Sequence, residues 1–123
     1  MIHTPAFLAL VEKAKSHIKE LSLADVQKKF ANGDKFLFID VREDEEWKVG
    51  RAKGAIHLGK GVIERDIETL IPDKNTQLVL YCGGGFRSAL AADSIQQMGY
   101  TNVYSMDGGI KAWRSQNLPE DKD

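Results

Sequence analysis

Short apolar runs alternate along the chain with segments in which apolar residues recur at helical spacing. The runs KFLFID, AIHLG, QLVLYC and NVYSM are rich in strand-forming residues and are predicted to be β-strands. Because these strands are apolar throughout rather than alternately apolar and polar, they are typical of a parallel sheet covered on both faces. The alternation of strands with helices predicts an α/β fold with such a sheet at its centre.

Helical segments precede and separate these strands. Thr4 and Pro5 are suited to an N-cap and a first helical position, and they open a helix with an apolar stripe. Ser22 is expected to cap a second helix after a break at ELS. The stripe of the first helix is Phe7, Val11, Ala14 and Ile18, and the second helix is Leu23 to Phe30. Later helices are predicted at EDEEWKVG, at VIERDIETLI and at Ile110 to Ser115. The second of these has Ile63, Ile67 and Leu70 or Ile71 on one face. Another helix is predicted around Ala91, Ile95 and Met98, with Gly99 as its C′ residue.

Composition narrows the class of protein. With 123 residues the chain is the size of one domain, and 17 basic against 18 acidic residues leave a net charge of -1, which does not favour a nucleic-acid partner. No apolar run approaches the roughly 18 residues of a membrane span, and no basic leader is recognised. The single cysteine excludes an intrachain disulfide and a zinc site built on paired cysteines. We therefore expect a cytoplasmic protein with no metal and no cofactor.

That cysteine lies in the segment LVLYCGGGFRS, directly after an apolar strand. Glycines at 83 to 85 permit a tight turn whose N–H groups point inward, and the following helix contributes its positive end. Together with Arg87, these dipoles would stabilise a thiolate at Cys82. A buried structural cysteine before a glycine turn is the alternative interpretation.

Several motifs, in order, resemble the rhodanese-like sulfurtransferase domain. They are DVREDEEWKVGRAKGAIHLG, LVLYCGGGFRS, GYTNVYSMDGGIKAW and NLP. The resemblance implies a three-layer α/β fold with a central parallel sheet and a rhodanese-like domain over residues 18–119. Residues 1–17 would then be an N-terminal helical extension, and 120–123, within the terminal PEDKD, a solvated tail.

The resemblance also implies the chemistry of the site. Cys82 matches the cysteine that carries a sulfane sulfur as a persulfide. The residues predicted to cradle that sulfur with their backbone amides are Gly83, Gly84, Gly85, Phe86, Arg87 and Ser88. With no second cysteine, the sulfur must pass to cyanide, a small thiol or a cysteine of another protein. Because positions 83 to 86 carry no cation, we expect weak activity with thiosulfate as the small-molecule donor.

Two other functions remain open from the sequence. A cysteine-based phosphatase uses a related loop, but that loop has five residues between cysteine and arginine, whereas four separate Cys82 from Arg87. The loop also lacks an acidic residue to protonate a leaving alcohol. The second alternative is a rhodanese-like binding module without catalysis, against which the presence of Cys82 argues.

Residues outside the loop receive supporting roles. Resemblance to the Asp-Val-Arg motif suggests that Asp40 organises the loop through Arg87, with a strand-end cap as the alternative. Arg42 and Arg51 could reach the mouth of the pocket. Further residues are expected to be structural: His57 in its strand, Trp47 and Trp113 as helix anchors in the core, and Gly108 and Gly109 in a tight turn.

The opening helix falls outside the resemblance, and its apolar stripe needs a surface to cover. We expect it to dock on its own domain and persulfide formation at Cys82 to be largely independent of it, although the stripe could instead pair two copies of the chain or meet a sulfur acceptor. The expected assembly is a monomer or a weak homodimer.

Overall fold

The computed structural model describes residues 3–123; Met1 and Ile2 of the predicted extension lie outside the described residues. The helices are α1 (Pro5–Lys15), α2 (Leu23–Ala31), α3 (Asp44–Val49), α4 (Ile63–Leu70), α5 (Phe86–Gln97) and α6 (Gly109–Ser115). The strands are β1 (Lys19–Leu21), β2 (Leu37–Asp40), β3 (Arg51–Ala52), β4 (Ala55–His57), β5 (Leu78–Tyr81), β6 (Val103–Met106) and β7 (Glu120–Asp121).

Five strands form one parallel sheet in the order β1-β6-β5-β2-β4. Strand β5 occupies the centre, and its four residues are fully buried. Successive side chains of β5 enter opposite cores, with Leu78 and Leu80 on one face and Val79 and Tyr81 on the other. This arrangement explains the unbroken apolar pattern and confirms the expected α/β architecture with its central parallel sheet.

Helices cover both faces of the sheet. One core cluster packs the sheet against α4 and α5, through residues such as Ile63, Ile67 and Ile95. The other packs it against α2 and α6, through Val26 and Trp113. The sheet and the helices on its two faces form three layers. In both clusters, the buried residues of the five-stranded sheet belong to its inner strands β2, β5 and β6 rather than to its edge strands.

Helix α1 packs outside α5 and buries Val11 and Ala14. Its predicted cap is confirmed, because Thr4 Oγ1 accepts a hydrogen bond from the Phe7 amide. The expectation that Ile18 continues its stripe is wrong: the helix ends at Lys15, and Ile18 packs separately against the core beside β1. Helix α1 thus docks on its own domain through Val11 and Ala14.

Three short elements differ from the sequence prediction. The expected break at ELS contains most of β1, which pairs with β6. The terminal PEDKD is not a solvated tail throughout, because Glu120 and Asp121 pair antiparallel with Arg51 and Ala52. On α4, the ambiguity is resolved in favour of Ile71, which is buried, while Leu70 is 62% exposed. Among residues 3–123, no helix is both long enough and apolar enough to cross a membrane.

Candidate active site

Cys82 lies at the carboxyl end of the central strand β5, with its side chain only 1% exposed. In open parallel sheets, this edge is where loops turn into helices and where ligands bind. The next residues form that turn, and Gly85 adopts φ +106° as the N-cap of α5. A left-handed conformation of this kind strongly favours glycine. The sequence placed both the cysteine and the turn correctly.

The sulfur of Cys82 receives hydrogen bonds from the backbone. The amide of Gly85 donates to Sγ over 3.2 Å, and the amide of Ser88 donates over 3.3 Å. Gly85 is the N-cap of the twelve-residue helix α5 and Ser88 lies in its first turn, where N–H groups have no partner within the helix. The sulfur thus lies at the positive end of a helix dipole, an arrangement that stabilises negative charge.

Two buried serine hydroxyls continue the chain of hydrogen-bonding groups that starts at the sulfur. Ser88 Oγ lies 3.5 Å from Cys82 Sγ and 2.8 Å from Ser105 Oγ. Both serines are fully buried, and Ser105 belongs to the adjacent strand β6. Sequence reasoning missed Ser105; the available signal was a hydroxyl within the otherwise apolar run NVYSM. Its contact with Ser88 fixes the hydroxyl that lies nearest the sulfur.

The Gly108–Gly109 pair contacts the loop directly. Amides at the start of α6 donate to the loop carbonyls, from Ile110 to Cys82 over 2.8 Å and from Lys111 to Gly83 over 3.1 Å. A Cβ atom at Gly109 would clash with the Cys82 carbonyl oxygen and lie 2.6 Å from that of Gly83. These glycines were expected only to permit a turn. In the structure they also let α6 approach the loop and donate hydrogen bonds to its carbonyls.

Arg87 pairs with Glu46 of α3, not with Asp40 as expected. The two terminal nitrogens of Arg87 donate to the two carboxylate oxygens of Glu46 over 2.7 and 3.1 Å. This hydrogen-bonded pairing lowers the pKa of Glu46 and raises the pKa of Arg87, because each charge stabilises the other. Glu46 was missed in the sequence, since its partner lies 41 positions away.

Asp40 and Arg42 form a buried pair beside β5. Arg42 is only 3% exposed and donates to both carboxylate oxygens of Asp40, with a shortest distance of 2.8 Å. Tyr81, which precedes the cysteine, donates its hydroxyl to Asp40 over 2.6 Å. Burial, together with the negative charge of Asp40, raises the pKa of Tyr81. Arg42 therefore does not reach the pocket mouth; the pair secures the end of β2 and the residue beside Cys82.

Structural contacts are also made by Arg51 and by the aromatic side chains of Trp47, His57 and Trp113. Arg51 lies over the ring of Trp47 at 4.4 Å and donates to Asp123. Trp47 stacks on His57 with ring centroids 4.8 Å apart, and it is half-buried rather than a core anchor as expected. Trp113 is buried as expected and donates to the Pro119 carbonyl over 2.8 Å. His57 contacts the Arg42 carbonyl over 2.8 Å, consistent with its structural role.

The N-terminal extension reaches the loop through Phe86. The rings of His3 and Phe7 lie 4.8 and 6.3 Å from the Phe86 ring, and the Lys15 ammonium lies 5.4 Å from it. The extension therefore contacts the cysteine loop, and the expectation that persulfide formation is largely independent of the extension stays a prediction. A separate open groove of about 580 Å³ between α1 and α5 includes no residue of the cysteine loop.

Most of the chain is similar to known proteins of one family. Residues 22–116 match the model of the family described as "Rhodanese-like domain". The "Putative sulfurtransferase YtwF" of Bacillus subtilis (strain 168) is 35% identical over 103 residues, covering 84% of this chain and 97% of that protein. The "Thiosulfate sulfurtransferase PspE" of Escherichia coli (strain K12) is 36% identical over 74 residues, covering 60% of this chain and 70% of that protein.

Solved structures are similar over nearly the whole chain. A Rhodopseudomonas palustris CGA009 protein of unknown function, described as a "possible tyrosine phosphatase", has a TM-score of 0.86 and 29% identity, covering 98% of both chains. The polysulfide-sulfur transferase homodimer of Wolinella succinogenes has a TM-score of 0.79 and 28% identity, covering 96% of this chain and 88% of that one. The family model, the relatives and the fold agree, and the chain belongs to the rhodanese-like domain family.

Proposed function

We propose that this protein is a sulfurtransferase that carries sulfane sulfur as a persulfide on Cys82. The observation that carries the proposal is the pair of backbone amides, from Gly85 and Ser88, that donate to Cys82 Sγ at the N-terminus of α5. A thiolate is the nucleophilic form of cysteine, and such donors favour it. Similarity to proteins named as sulfurtransferases supports this reaction class.

The transfer proceeds in two half-reactions. In the first, the Cys82 thiolate attacks the outer sulfur of a donor R–S–SH; a new S–S bond forms, the donor S–S bond breaks, and RS⁻ leaves. In the second, an acceptor thiolate or cyanide attacks that outer sulfur, and the Cys82 thiolate is regenerated. This covalent route divides one difficult transfer into two steps. Of the amides of residues 83 to 88 that are predicted to cradle the outer sulfur, those of Gly85 and Ser88 already donate to Cys82 Sγ, and the proposal places the outer sulfur beside them.

Discharge requires an external acceptor. The chain contains one cysteine, so an internal disulfide cannot release the sulfur. The acceptor is then cyanide, a small thiol or the cysteine of another protein. We infer no nucleic-acid or membrane partner, a cytoplasmic location, and a monomer or weak homodimer, with residues 18–119 as the catalytic domain.

Intact-mass measurement of the protein after incubation with individual donors tests the function. We expect the mass of one sulfur atom to be added to the wild type and to be removed by cyanide, while Cys82→Ser stays unchanged. Ser105→Ala, which alters the adjacent hydroxyl pair and retains the cysteine, should still load. Wild-type protein that accepts sulfur from no donor would exclude the transfer and favour a binding module.

A phosphatase is the second candidate, because one structural neighbour is described as a possible tyrosine phosphatase. Four residues separate Cys82 from Arg87, giving a smaller ring of amides than the five-residue phosphatase loop. Arg87 is also paired with Glu46 instead of being free for a phosphate. We expect no turnover of an aryl phosphate; turnover lost in Cys82→Ser would reverse this choice.

A further inference from the structure

We propose that Glu46 determines which sulfur donors the site accepts. Acting through Arg87, its carboxylate directs Cys82 towards donors of low charge, such as hydropersulfides, and away from dianions such as thiosulfate. This inference rests on the proposed sulfurtransferase function and adds a substrate class to it.

Arg87 lies beside the cysteine loop. Its guanidinium lies against the loop, with Nη2 3.1 Å from where a Cβ atom of Gly83 would stand. Residues 83 to 86 are three glycines and a phenylalanine, so Arg87 supplies the side-chain cation of this loop. A free arginine here would offer a planar, charged fork to an anionic donor.

Glu46 already engages that fork. Each terminal nitrogen of Arg87 donates to one of its carboxylate oxygens, over 2.7 and 3.1 Å. The pair is only partly exposed, at 32% for Arg87 and 37% for Glu46, so water screens it incompletely. The carboxylate therefore offsets the positive charge of Arg87 and places a negative charge next to the loop.

The side chain of Glu46 is also held in place by a hydrogen bond at the start of its own helix. At the third position of α3, it accepts a hydrogen bond from the Glu43 amide over 3.1 Å, while Glu43 caps the helix in return. This reciprocal capping box fixes the side chain at the start of the helix. An incoming anion must therefore compete with an ordered carboxylate for Arg87.

The two donor classes differ in the charge that they bring. Thiosulfate carries two negative charges, and when the Cys82 thiolate takes its outer sulfur, sulfite leaves as a dianion. A hydropersulfide is neutral or singly charged, and its leaving group is a single thiolate. Placing like charge near the binding position is an effective way to reject an unwanted ligand. The Glu46–Arg87 pair thus penalises thiosulfate more than a hydropersulfide.

The test compares Glu46→Gln with Glu45→Gln. Both variants remove one negative charge from α3, but Glu45 is exposed and outside this ion pair. Glutamine at 46 retains an oxygen for the Glu43 amide, so the helix cap is preserved. Rates of sulfur loading onto Cys82 are measured at low ionic strength by rapid quench and intact mass, with thiosulfate and with cysteine hydropersulfide, which is neutral or singly charged overall.

In Glu46→Gln, we expect kcat/KM for thiosulfate to rise about tenfold, mainly through a lower KM. Loading by cysteine hydropersulfide should change by less than about twofold, and Glu45→Gln should stay within about twofold of wild type for both donors. A merely structural role would instead change both donors together. The selective gain should diminish at high salt.

Three outcomes separate the inference from the function on which it rests. Equal thiosulfate kinetics in the two variants would overturn the role of Glu46 while leaving persulfide formation intact. Parallel gains or losses with both donors in Glu46→Gln would also overturn it, because donor charge would then not matter. Failure of the wild type to accept sulfur from either donor would overturn the proposed function itself.

Discussion

Backbone amides of Gly85 and Ser88, rather than charged side chains, contact the Cys82 sulfur. The contacts to the sulfur therefore depend on the position of the loop backbone, which is sensitive to side-chain volume at the positions packed against it. Gly109 is the sharpest example, because it has φ +54° and lies against the carbonyl groups of Cys82 and Gly83. The close approach of α6 depends on the absence of a Cβ atom there.

Gly109→Ala should destabilise the protein by about 2 kcal/mol or more, through steric overlap and an unfavourable backbone conformation. The same change should slow sulfur loading, because the displaced loop would no longer direct its amides at Sγ. Chemical denaturation and intact mass measure the two effects. Gly61→Ala is the matched control, with open space around its Cβ position, and should shift stability by less than about 0.5 kcal/mol. Wild-type stability in Gly109→Ala would contradict the close packing described for α6.

At the scale of elements, the Glu46–Arg87 pair joins α3 to α5 and makes stability depend on pH. The pKa of Glu46 is lowered from its ordinary value of 4.5, chiefly by the hydrogen bonds from Arg87. A lowered folded-state pKa means that the unfolded chain binds the proton more readily. The stabilisation is therefore present above about pH 4.5 and is lost as the pH falls through the lower folded-state pKa.

We expect the free energy of unfolding of wild type to exceed that of Glu46→Gln by a constant amount near neutral pH. The difference should shrink as the pH is lowered below about 4.5. Denaturation of both proteins across this range measures it, with Glu45→Gln as the control for removal of a charge. A difference that grew on acidification would have the wrong sign for this ion pair.

Docking of α1 is the second prediction at this scale. Val11 is 3% exposed beneath the helix, whereas Leu10 on the same helix is 56% exposed. Val11→Ala should cost about 2 kcal/mol through lost burial and a small cavity. Leu10→Ala should change stability by less than about 0.5 kcal/mol. Equal effects of the two substitutions in thermal or chemical denaturation would show that α1 does not bury this face in solution.

For the whole molecule, the C-terminal segment closes a second, two-stranded sheet that joins residues 120–121 to β3. Truncation after Pro119 removes this pairing and the Arg114–Glu120 ion pair, and should cost roughly 1 kcal/mol. Removing only residues 122–123 retains β7 and loses the exposed Asp123 partner of Arg51, so its effect should be smaller. Differential scanning calorimetry of both truncations distinguishes a paired terminus from a solvated one.

The sequence was sufficient for the central sheet and for the cysteine loop, because both depend on local patterns. Four consecutive buried residues in β5 and the glycines after Cys82 are contiguous in the chain. Strands of two or three residues, such as β1 and β3, are too short to show a periodicity. Pairings between distant positions, such as Arg87 with Glu46, depend on how helices pack across the sheet. No local pattern distinguishes that partner from Asp40.

Gly84 gives the loop scope for evolutionary divergence. It is exposed, its φ lies outside the left-handed region, and nothing stands within 4 Å of its Cβ position. Since Gly85 and Ser88 contact the sulfur through their amides, a side chain at position 84 could vary without displacing either donor. A mutation there, including one that introduces a cation, would alter the rim of the site while the contacts to Cys82 persist. Under the proposed sulfurtransferase function, a single substitution at position 84 would therefore change donor preference while the amides that contact Cys82 Sγ stay in place.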